Sequence, residues 1–568
     1  MDKKKILFLL ALIFFTGLSL AMHTEVEAKT LTGSCGKEAV WKYNDKTKVL
    51  KITGKGALTK RIKLSSKEIK EIIVEEGITA ISSSAVFERL WCSNSFKRFV
   101  LPNSLKKICV RAFTGVSFAH DTITLPANIK KIEPGAFWGA RLEKIKVSEK
   151  NKHFASKDGV LFSKDYKTLF CYPKGKKTKN YKFPKTVTEI KPMAFAENYY
   201  IQKVQLPKNL KKLGGGAFYL CGQLSDINLT SKSKITEIAD YDGKKTDVRR
   251  GPIDFDVDVH FTDFVDTMPW NDDPMRYHFG TFEGTALKSI VIPDGVKYLP
   301  SKTFATLALD WEDTPTGCAL QEITLGKNFI GEINTGDGLY SGDSLYLYHL
   351  GEWQVGVKSI KVAKGNPKYV VKDNILYSRD GKTLYQAFSG IKKQSLTIDS
   401  KVKRIANGAF LGIRGIKEIT VKGNLESIGF LAFEDSSLES FTAEGEIQKI
   451  GKGAFACSDI RIFDCKKDVH FIDNNAFADC YQLETAQLGS NLSYLGENAF
   501  QYCSKLKELT LAGSLKEIFN WTFSGCSSLT KITFPENVSY YWDAFQGCVL
   551  LSEIVKTQPL GTDLLKGN

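Results

Sequence analysis

The sequence predicts a strand-dominated α/β solenoid, in which short structural repeats stack on one another and share one core. Three observations predict it: a phenylalanine that recurs at a fixed interval, an alternation of apolar and polar residues before it, and a proline or glycine between the two. A constant period in the low twenties indicates stacked repeats rather than an ordinary globular domain. The clearest series has spacings of 22 or 23 residues and comprises Phe410, Phe433, Phe455, Phe477, Phe500, Phe523 and Phe545.

One repeat shows how the residues divide between strand, turn and core. Leu506–Leu511 ends in an apolar–polar alternation, which is typical of a short strand with one buried face. Gly513 then ends the strand, as proline does in other repeats. We expect the first strands to form a long parallel sheet, with short strands and helical turns on the opposite side. The repeat phenylalanines then form the core, and earlier repeats add Phe113, Phe137, Phe195 and Phe218.

The repeat pattern L-x-x-I-x-L-P-x-x-L-x-x-I-x-x-x-A-F-x-x-C resembles the BspA-like leucine-rich repeats of secreted and surface proteins of bacteria. Ile201–Cys221 (IQKVQLPKNLKKLGGGAFYLC) and Leu287–Phe304 (LKSIVIPDGVKYLPSKTF) carry the pattern. The resemblance implies a right-handed leucine-rich-repeat solenoid, and it implies adhesion to host matrix or to other bacteria. It is specific for the fold and not for the function, because such proteins share a scaffold rather than an active site.

The N-terminal 28 residues have the pattern of a secretory signal peptide. Lys3–Lys5 are basic, Ile6–Leu20 is apolar, and Val26–Ala28 provides a small-x-small cleavage site, with a second candidate site ending at Ala21. Cleavage near Ala28 predicts a secreted or cell-surface protein, and the family resemblance implies that its source is a bacterium. We expect no transmembrane span in the mature chain, since no second long apolar segment follows.

The mature chain divides into three segments. Residues 29–60 resemble the N-terminal β cap of BspA-like proteins, with a C-G…W…L-x-I-x-G-x-G pattern and a turn at Asn44–Lys46. Such a cap covers the open edge of the first repeat. Residues 61–556 form the repeat array, and residues 557–568 form a C-terminal tail.

Two insertions interrupt the array, at about 239–280 and 331–356. Aromatic residues in irregular, glycine-rich segments on a rigid array are candidates for ligand contact. In the alternative interpretation, these aromatic side chains fold back and cover an incomplete repeat. An aspartate-rich stretch, Ile253–Asp266, lacks the glycine and the distal glutamate of a calcium loop, so we favour a solvated insertion. The candidate contact residues are Trp270, Trp311, Tyr340, Tyr346, Tyr348 and Trp353.

One longer unit occurs twice. Ile145–Phe195 aligns without gaps onto Ile360–Phe410, and both segments predict a β-hairpin; in the first, Ser163–Tyr166 separate its two strands. Asp158 and Asp165 could hold a cation there, but turn formation by aspartate is the interpretation that we favour.

Twelve cysteines in an exported chain first suggest disulfides. Their positions favour buried thiols, because Cys221, Cys480, Cys503, Cys526 and Cys548 each follow a repeat phenylalanine by three residues. Side chains in one such column point the same way, which is poor geometry for a disulfide.

The chain carries a formal net charge of +16, and lysine supplies most of its positive residues. In one interpretation the lysine-rich surface is simply hydrated and binds no partner. In the other, it attracts acidic partners such as cell-wall polymers, sulfated glycans or acidic host proteins. We find no nucleic-acid-binding module in the sequence.

No catalytic motif stands out among the seven scattered histidines, and no metal-ligand or cofactor-binding spacing is present. The residues at the centres of the predicted first strands are mostly threonine and lysine, without an aromatic ladder. We therefore expect neither enzymatic activity nor a cofactor. We expect an exported protein that binds a protein or glycan ligand, and host matrix is one candidate ligand. The alternative is a structural component of the cell envelope, which its basic surface holds to acidic wall polymers.

Overall fold

The computed structural model describes most of the chain and divides it into two compact units. Unit 1 comprises Met1–Gly159 and unit 2 comprises Val160–Asn568. The predicted signal peptide and the C-terminal tail lie outside the described residues. The described residues are 29–64, 68–81, 86–87, 97–113, 116, 118, 121–239, 241–242, 278–300, 303–304, 320–331 and 357–556.

Unit 1 begins with antiparallel strands and continues with parallel ones. Its strands are β1 (Thr30–Ser34), β2 (Gly36–Asn44), β3 (Val49–Leu58), β4 (Glu71–Val74), β5 (Ile78–Ile81), β6 (Arg98–Val100), β7 (Lys107–Ile108), β8 (Thr122–Leu125), β9 (Lys131–Ile132), β10 (Lys144–Val147) and β11 (Phe154–Lys157). β1, β2 and β3 are antiparallel neighbours. The later strands pair in parallel across coils, as β5 does with β7 and β7 with β9.

β3 connects the antiparallel strands to the first coil. Its first half pairs in parallel with β4 and its second half with β5. Gly54 lies between the halves with φ +108, and a Cβ there would lie 2.0 Å from the Glu38 carbonyl oxygen, so only glycine fits. The predicted turn is confirmed, since the Asn44 side chain accepts hydrogen bonds from the backbone N–H groups of Lys46 and Thr47. The role of these strands as a cap stays a prediction.

Unit 2 repeats one coil: a first strand, a turn, a short second strand and a turn that carries the repeat phenylalanine. In chain order, its strands are β12 (Val160–Ser163), β13 (Thr168–Cys171), β14 (Asn180–Lys182), β15 (Glu189–Ile190), β16 (Lys203–Gln205), β17 (Lys212–Leu213), β18 (Asp226–Ile227), β19 (Glu237–Ile238), β20 (Tyr241–Asp242), β21 (His278–Phe279), β22 (Ser289–Val291), β23 (Glu322–Leu325), β24 (Ser359–Val362), β25 (Tyr369–Lys372), β26 (Ile375–Ser378), β27 (Thr383–Ala387), β28 (Ser395–Ile398), β29 (Arg404–Ile405), β30 (Glu418–Val421), β31 (Ser427–Ile428), β32 (Ser440–Ala443), β33 (Ile462–Cys465), β34 (Phe471–Ile472), β35 (Thr485–Gln487), β36 (Tyr494–Leu495), β37 (Glu508–Thr510), β38 (Glu517–Ile518), β39 (Lys531–Phe534), β40 (Ser539–Tyr540) and β41 (Glu553–Lys556).

The coils stack in parallel register. First strands pair with first strands, as in the order β28-β30-β32-β33-β35, and second strands pair with second strands, as in β34-β36. We call the two surfaces that these strands line the first-strand face and the second-strand face. The described residues thus form a strand-dominated parallel β-solenoid, as the repeat period predicts.

From Phe410 to Phe545, the repeat phenylalanines form a continuous column in the core of unit 2. Phe433, Phe455, Phe477 and Phe500 are fully buried, and neighbouring rings stack with centroids 4.9–5.0 Å apart. Phe545 differs from this prediction, because it is only partly buried and stacks on Phe523 at 5.4 Å. The other predicted core rings are at most 5% exposed: Phe113, Phe137, Phe195, Phe218, Phe410 and Phe523.

The helical turns predicted opposite the first strands are wrong for the described residues, which contain no α-helix. The reason lies in the turn that carries the phenylalanine. Leu431 and Asp435 flank Phe433 with φ of 51, and Asn498 and Tyr502 flank Phe500 with φ of 54 and 57. Left-handed residues on both sides of the phenylalanine prevent a right-handed helix there. The coil is therefore built of strands and turns, and the α/β prediction is corrected.

The duplicated unit forms two equivalent hairpins, β12–β13 and β26–β27, both antiparallel. In the first, Ser163 donates a hydrogen bond to Asp165, which also accepts one from the Lys167 backbone N–H. Ser378 and Asp380 repeat these contacts in the second hairpin. These aspartates form turns, as the sequence favours, and the hydrogen bonds lower the pKa of both carboxyls.

Candidate binding surfaces

The six aromatic residues predicted to contact a ligand lie outside the described residues. This holds for Trp270 in the first insertion, for Trp311, and for all four in the second insertion: Tyr340, Tyr346, Tyr348 and Trp353. Their role stays a prediction. The candidate binding surfaces described below are formed by the described coils.

The first-strand face presents a row of small and polar residues. Thr420, Thr442, Asp464 and Gln487 occupy equivalent positions on four consecutive strands. In unit 1, Lys146 pairs with Thr124 in the same way. The predicted row of threonine and lysine is therefore found at Thr124, Lys146, Thr420 and Thr442, whereas the next two coils carry Asp464 and Gln487 instead.

The second-strand face carries an aromatic row that the sequence-based search missed. Phe471 stacks on Tyr494 with ring centroids 4.4 Å apart, and Tyr494 lies 5.5 Å from Phe519. Phe519 in turn lies 6.2 Å from Tyr541. At the other end, the Lys449 ammonium lies 4.8 Å from the centre of the Phe471 ring. A signal was present, since an aromatic residue precedes the repeat phenylalanine by six or four residues in four consecutive repeats.

The last coils also leave several large side chains exposed beside this row. Trp542 is 73% exposed, Tyr541 43% and Trp521 42%. Val549 and Leu550, in the same coil as Trp542, are also exposed. We call Phe471, Tyr494, Phe519, Trp521, Tyr541 and Trp542 the aromatic surface. Large exposed apolar side chains that cluster are typical of interaction surfaces.

Charged side chains pair across neighbouring coils in the second half of unit 2. Lys417 lies 2.8 Å from Glu439, Arg461 lies 3.0 Å from Glu484, and Arg404 lies 3.0 Å from Glu426. All these partners are well exposed, so each pair contributes at most about 1 kcal/mol. Their main effect is to neutralise this part of the surface.

The predicted cysteine column is present, and it forms hydrogen bonds as well as apolar contacts. The thiols of Cys480, Cys503 and Cys526 each donate to the carbonyl oxygen of a phenylalanine in the preceding coil, at 3.1–3.2 Å. None of the five cysteines of this column forms a disulfide. Burial raises the pKa of Cys480 to about 12 and that of Cys503 well above its usual value. These thiols therefore stay protonated at neutral pH, which excludes them as thiolate nucleophiles.

Within the described ranges, no three His, Cys, Asp or Glu side chains come together in a way that could hold a metal ion. His470 approaches Glu446 at 3.7 Å. The residues of the described ranges form no helix with the length and hydropathy of a membrane span.

The fold and these surfaces define a repeat solenoid with distinct first-strand and second-strand faces. The chain belongs to the BspA-type leucine-rich repeat family: the family model "BspA type Leucine rich repeat region" matches in six copies, over residues 64–158, 168–243, 384–507 and 463–562. The resemblance of the repeat pattern is thereby confirmed.

The solved structures that match the chain are distant in sequence, and their TM-scores are low. The pneumococcal vaccine antigen PcpA is 15% identical over 94% of each chain, with a TM-score of 0.37. A leucine-rich cell surface protein from Faecalibacterium prausnitzii is 16% identical over 94% of this chain and 96% of its own, with a TM-score of 0.31. A leucine-rich repeat protein from Eubacterium ventriosum gives a TM-score of 0.28 at 15% identity, over 95% and 99%. No curated protein matches the chain significantly.

Proposed function

We propose that the protein is exported through the signal at residues 1–28 and binds an extracellular protein or glycan without catalysing a reaction. Adhesion to host matrix or to other cells is the function that such binding serves. The aromatic surface is the observation that carries this proposal. The two insertions and Trp311, which together hold the six aromatic residues named from the sequence, belong to the same proposal as further contact segments.

The last coils expose aromatic surface that does not contribute to the core of the solenoid. Phe471 and Tyr494 are partly buried by the coil and by each other, but Trp542 leaves 73% of its surface in water. Tryptophan and tyrosine are enriched at the centres of interfaces, because their rigid rings bury much apolar area at a small entropic cost. A partner that covers Tyr541 and Trp542 would gain that area without a change in the solenoid.

The test uses the chain from residue 29 onward with panels of host matrix proteins, glycans and bacterial envelope. We expect saturable binding to one of them, and we expect Tyr541→Ala/Trp542→Ala to weaken it by at least about tenfold, a factor that corresponds to about 1.4 kcal/mol. Tyr199→Ala/Tyr200→Ala is a matched control, because these adjacent tyrosines are 47% and 42% exposed in another coil of unit 2. An equal loss in both variants would refute the aromatic surface as the contact.

Salt separates this function from a structural role in the envelope. A chain held to acidic wall polymers by charge alone releases steeply as ionic strength rises, because salt screens exposed charges. A docked apolar interface resists the same change. Binding that occurs only to envelope and only at low salt would favour the structural role.

A further inference from the structure

The positive charge of the chain is concentrated near its N-terminus. Residues 29–159 contain 26 lysines and arginines and 12 aspartates and glutamates. Residues 401–556 contain 16 and 19, respectively. The positive charge is therefore unevenly distributed along the chain. The C-terminal coils, whose charged side chains form ion pairs between neighbouring coils, contribute no net positive charge.

Two adjacent coils of unit 1 place four lysines together on the second-strand face. Lys107 and Lys131 are register partners on the parallel strands β7 and β9. Lys106 and Lys130 precede them, and the Lys130 backbone N–H donates to the Lys106 carbonyl at 2.8 Å. Lys106, Lys130 and Lys131 are exposed, and Lys107 is partly buried. We call Lys106, Lys107, Lys130 and Lys131 the lysine quartet.

One carboxylate balances the quartet only in part. Glu133 lies 3.1 Å from the Lys107 ammonium and 3.3 Å from that of Lys131. Lys106 and Lys130 make no ion pair with any residue in the described ranges. Two unit charges about 5 Å apart in water repel by about 0.8 kcal/mol, so an uncompensated row has a cost that a bound anion removes.

The fold itself does not require lysine at these positions. Later coils vary at the equivalent positions: Lys211 and Lys212, and Lys403 and Arg404, are again basic. Other coils have Glu426 and Ser427, His470 and Phe471, or Ser493 and Tyr494 there. The second-strand face of unit 2 is thus aromatic in its last coils, whereas that of unit 1 carries the lysine quartet. Since both sequences form the same two-residue strands, the quartet reflects something other than coil formation.

We infer that the lysine quartet binds a linear anionic glycan polymer that carries phosphate or sulfate groups. Adjacent parallel strands lie about 4.8 Å apart, so the quartet presents two lysines on each of two neighbouring coils within a short distance along the stacking direction. Lysine acts as a point charge without the bidentate geometry of arginine, which suits a flexible polymer better than a single defined group. The quartet contains no aromatic residue on which a nucleic-acid base could stack, so we favour a glycan. This surface is separate from the aromatic surface, and either proposal can fail alone.

The experiment measures binding of the chain from residue 29 onward to dextran sulfate and to poly(glycerol phosphate), at several salt concentrations. In Lys106→Gln/Lys107→Gln/Lys130→Gln/Lys131→Gln, we expect at least about tenfold weaker binding at low salt. We also expect a slope of log K against log salt that is shallower by about 2–3, from the loss of four charge contacts. Lys106→Gln/Lys130→Gln leaves both Glu133 ion pairs in place and tests the site if the fourfold variant does not fold.

The matched control removes the same net charge from exposed lysines on four separate coils: Lys401→Gln/Lys452→Gln/Lys467→Gln/Lys516→Gln. Binding close to that of the wild type is the expected result for this control. Equal losses in both fourfold variants would show that net charge and not the quartet governs binding, which overturns the proposal. Selective loss with only one polymer identifies sulfate or phosphate as the recognised group. Equally tight binding of single-stranded DNA would overturn the assignment to a glycan.

Discussion

Phe477→Ala tests the central claim that one aromatic column holds the coils together. Phe477 is fully buried, and its ring stacks on Phe455 and Phe500 at 5.0 Å on either side. A third ring, Phe463, meets it edge-on at 5.0 Å. Truncation removes all these contacts and leaves a cavity between coils that cannot close without unstacking the strands. We therefore expect the free energy of unfolding to fall by about 3–5 kcal/mol.

The loss of unfolding free energy in Phe477→Ala is to be compared with the loss in Phe545→Ala. Phe545 is partly buried and stacks on Phe523 alone among the repeat phenylalanines, at 5.4 Å. Less buried area and fewer stacked rings predict a loss of about 1–2 kcal/mol. Urea denaturation followed by circular dichroism gives both values, provided that the slope with denaturant is unchanged. Phe477→Leu, which keeps most of the volume, should fall between the wild type and Phe477→Ala.

The reasoning would be refuted if Phe477→Ala destabilised the protein no more than Phe545→Ala. That result would mean that ring stacking between coils adds little, and that the strand ladders alone set the stability of the array. If the urea concentration at the midpoint were unchanged but the dependence of the unfolding free energy on urea concentration differed, the substitution would instead have changed the unfolded state.

Three further contacts give predictions of their own. The buried Asn198 amide donates to the carbonyls of Pro173, Lys174 and Lys176, so Asn198→Ala should cost about 2–4 kcal/mol in urea denaturation. Burial raises the pKa of Glu133, but hydrogen bonds from Lys107 and the Val110 backbone more than offset it, and the pKa lies below its usual value. The stability that Glu133 contributes is present above about pH 4.3 and is lost as pH falls through the lowered folded pKa, so Glu133→Gln should flatten this part of a stability-against-pH curve. Partial burial and the nearby Asp479 carboxylate raise the pKa of the Cys457 thiol, although this residue is exposed. Alkylation of Cys457, followed by mass spectrometry, should therefore be slow at pH 8 and faster at higher pH. The buried Cys480 should react only when the protein unfolds.

Much of the fold could be predicted from the spacing of residues along the chain. The repeat phenylalanines, the apolar strand positions and the duplicated hairpin follow from local patterns, since each coil repeats the same inward and outward positions. The prediction of a turn at Asp165 is confirmed, because its hydrogen bonds reach only residues two positions away. The turns around the repeat phenylalanine were mispredicted as helical. Left-handed conformations at non-glycine residues such as Leu431 and Tyr502 leave no clear mark in the sequence.

The sequence by itself determined the period, the family and the inward columns of the solenoid. Only the tertiary structure decided which outward residues become neighbours. Phe471 and Tyr494 are 23 residues apart in sequence, yet their rings touch, and Lys106 and Lys130 lie on adjacent coils although 24 residues separate them. Buried positions are constrained by packing, so they recur and can be recognised from one repeat. Outward positions are free to vary, so the aromatic surface and the lysine quartet emerge only when the coils are stacked in register.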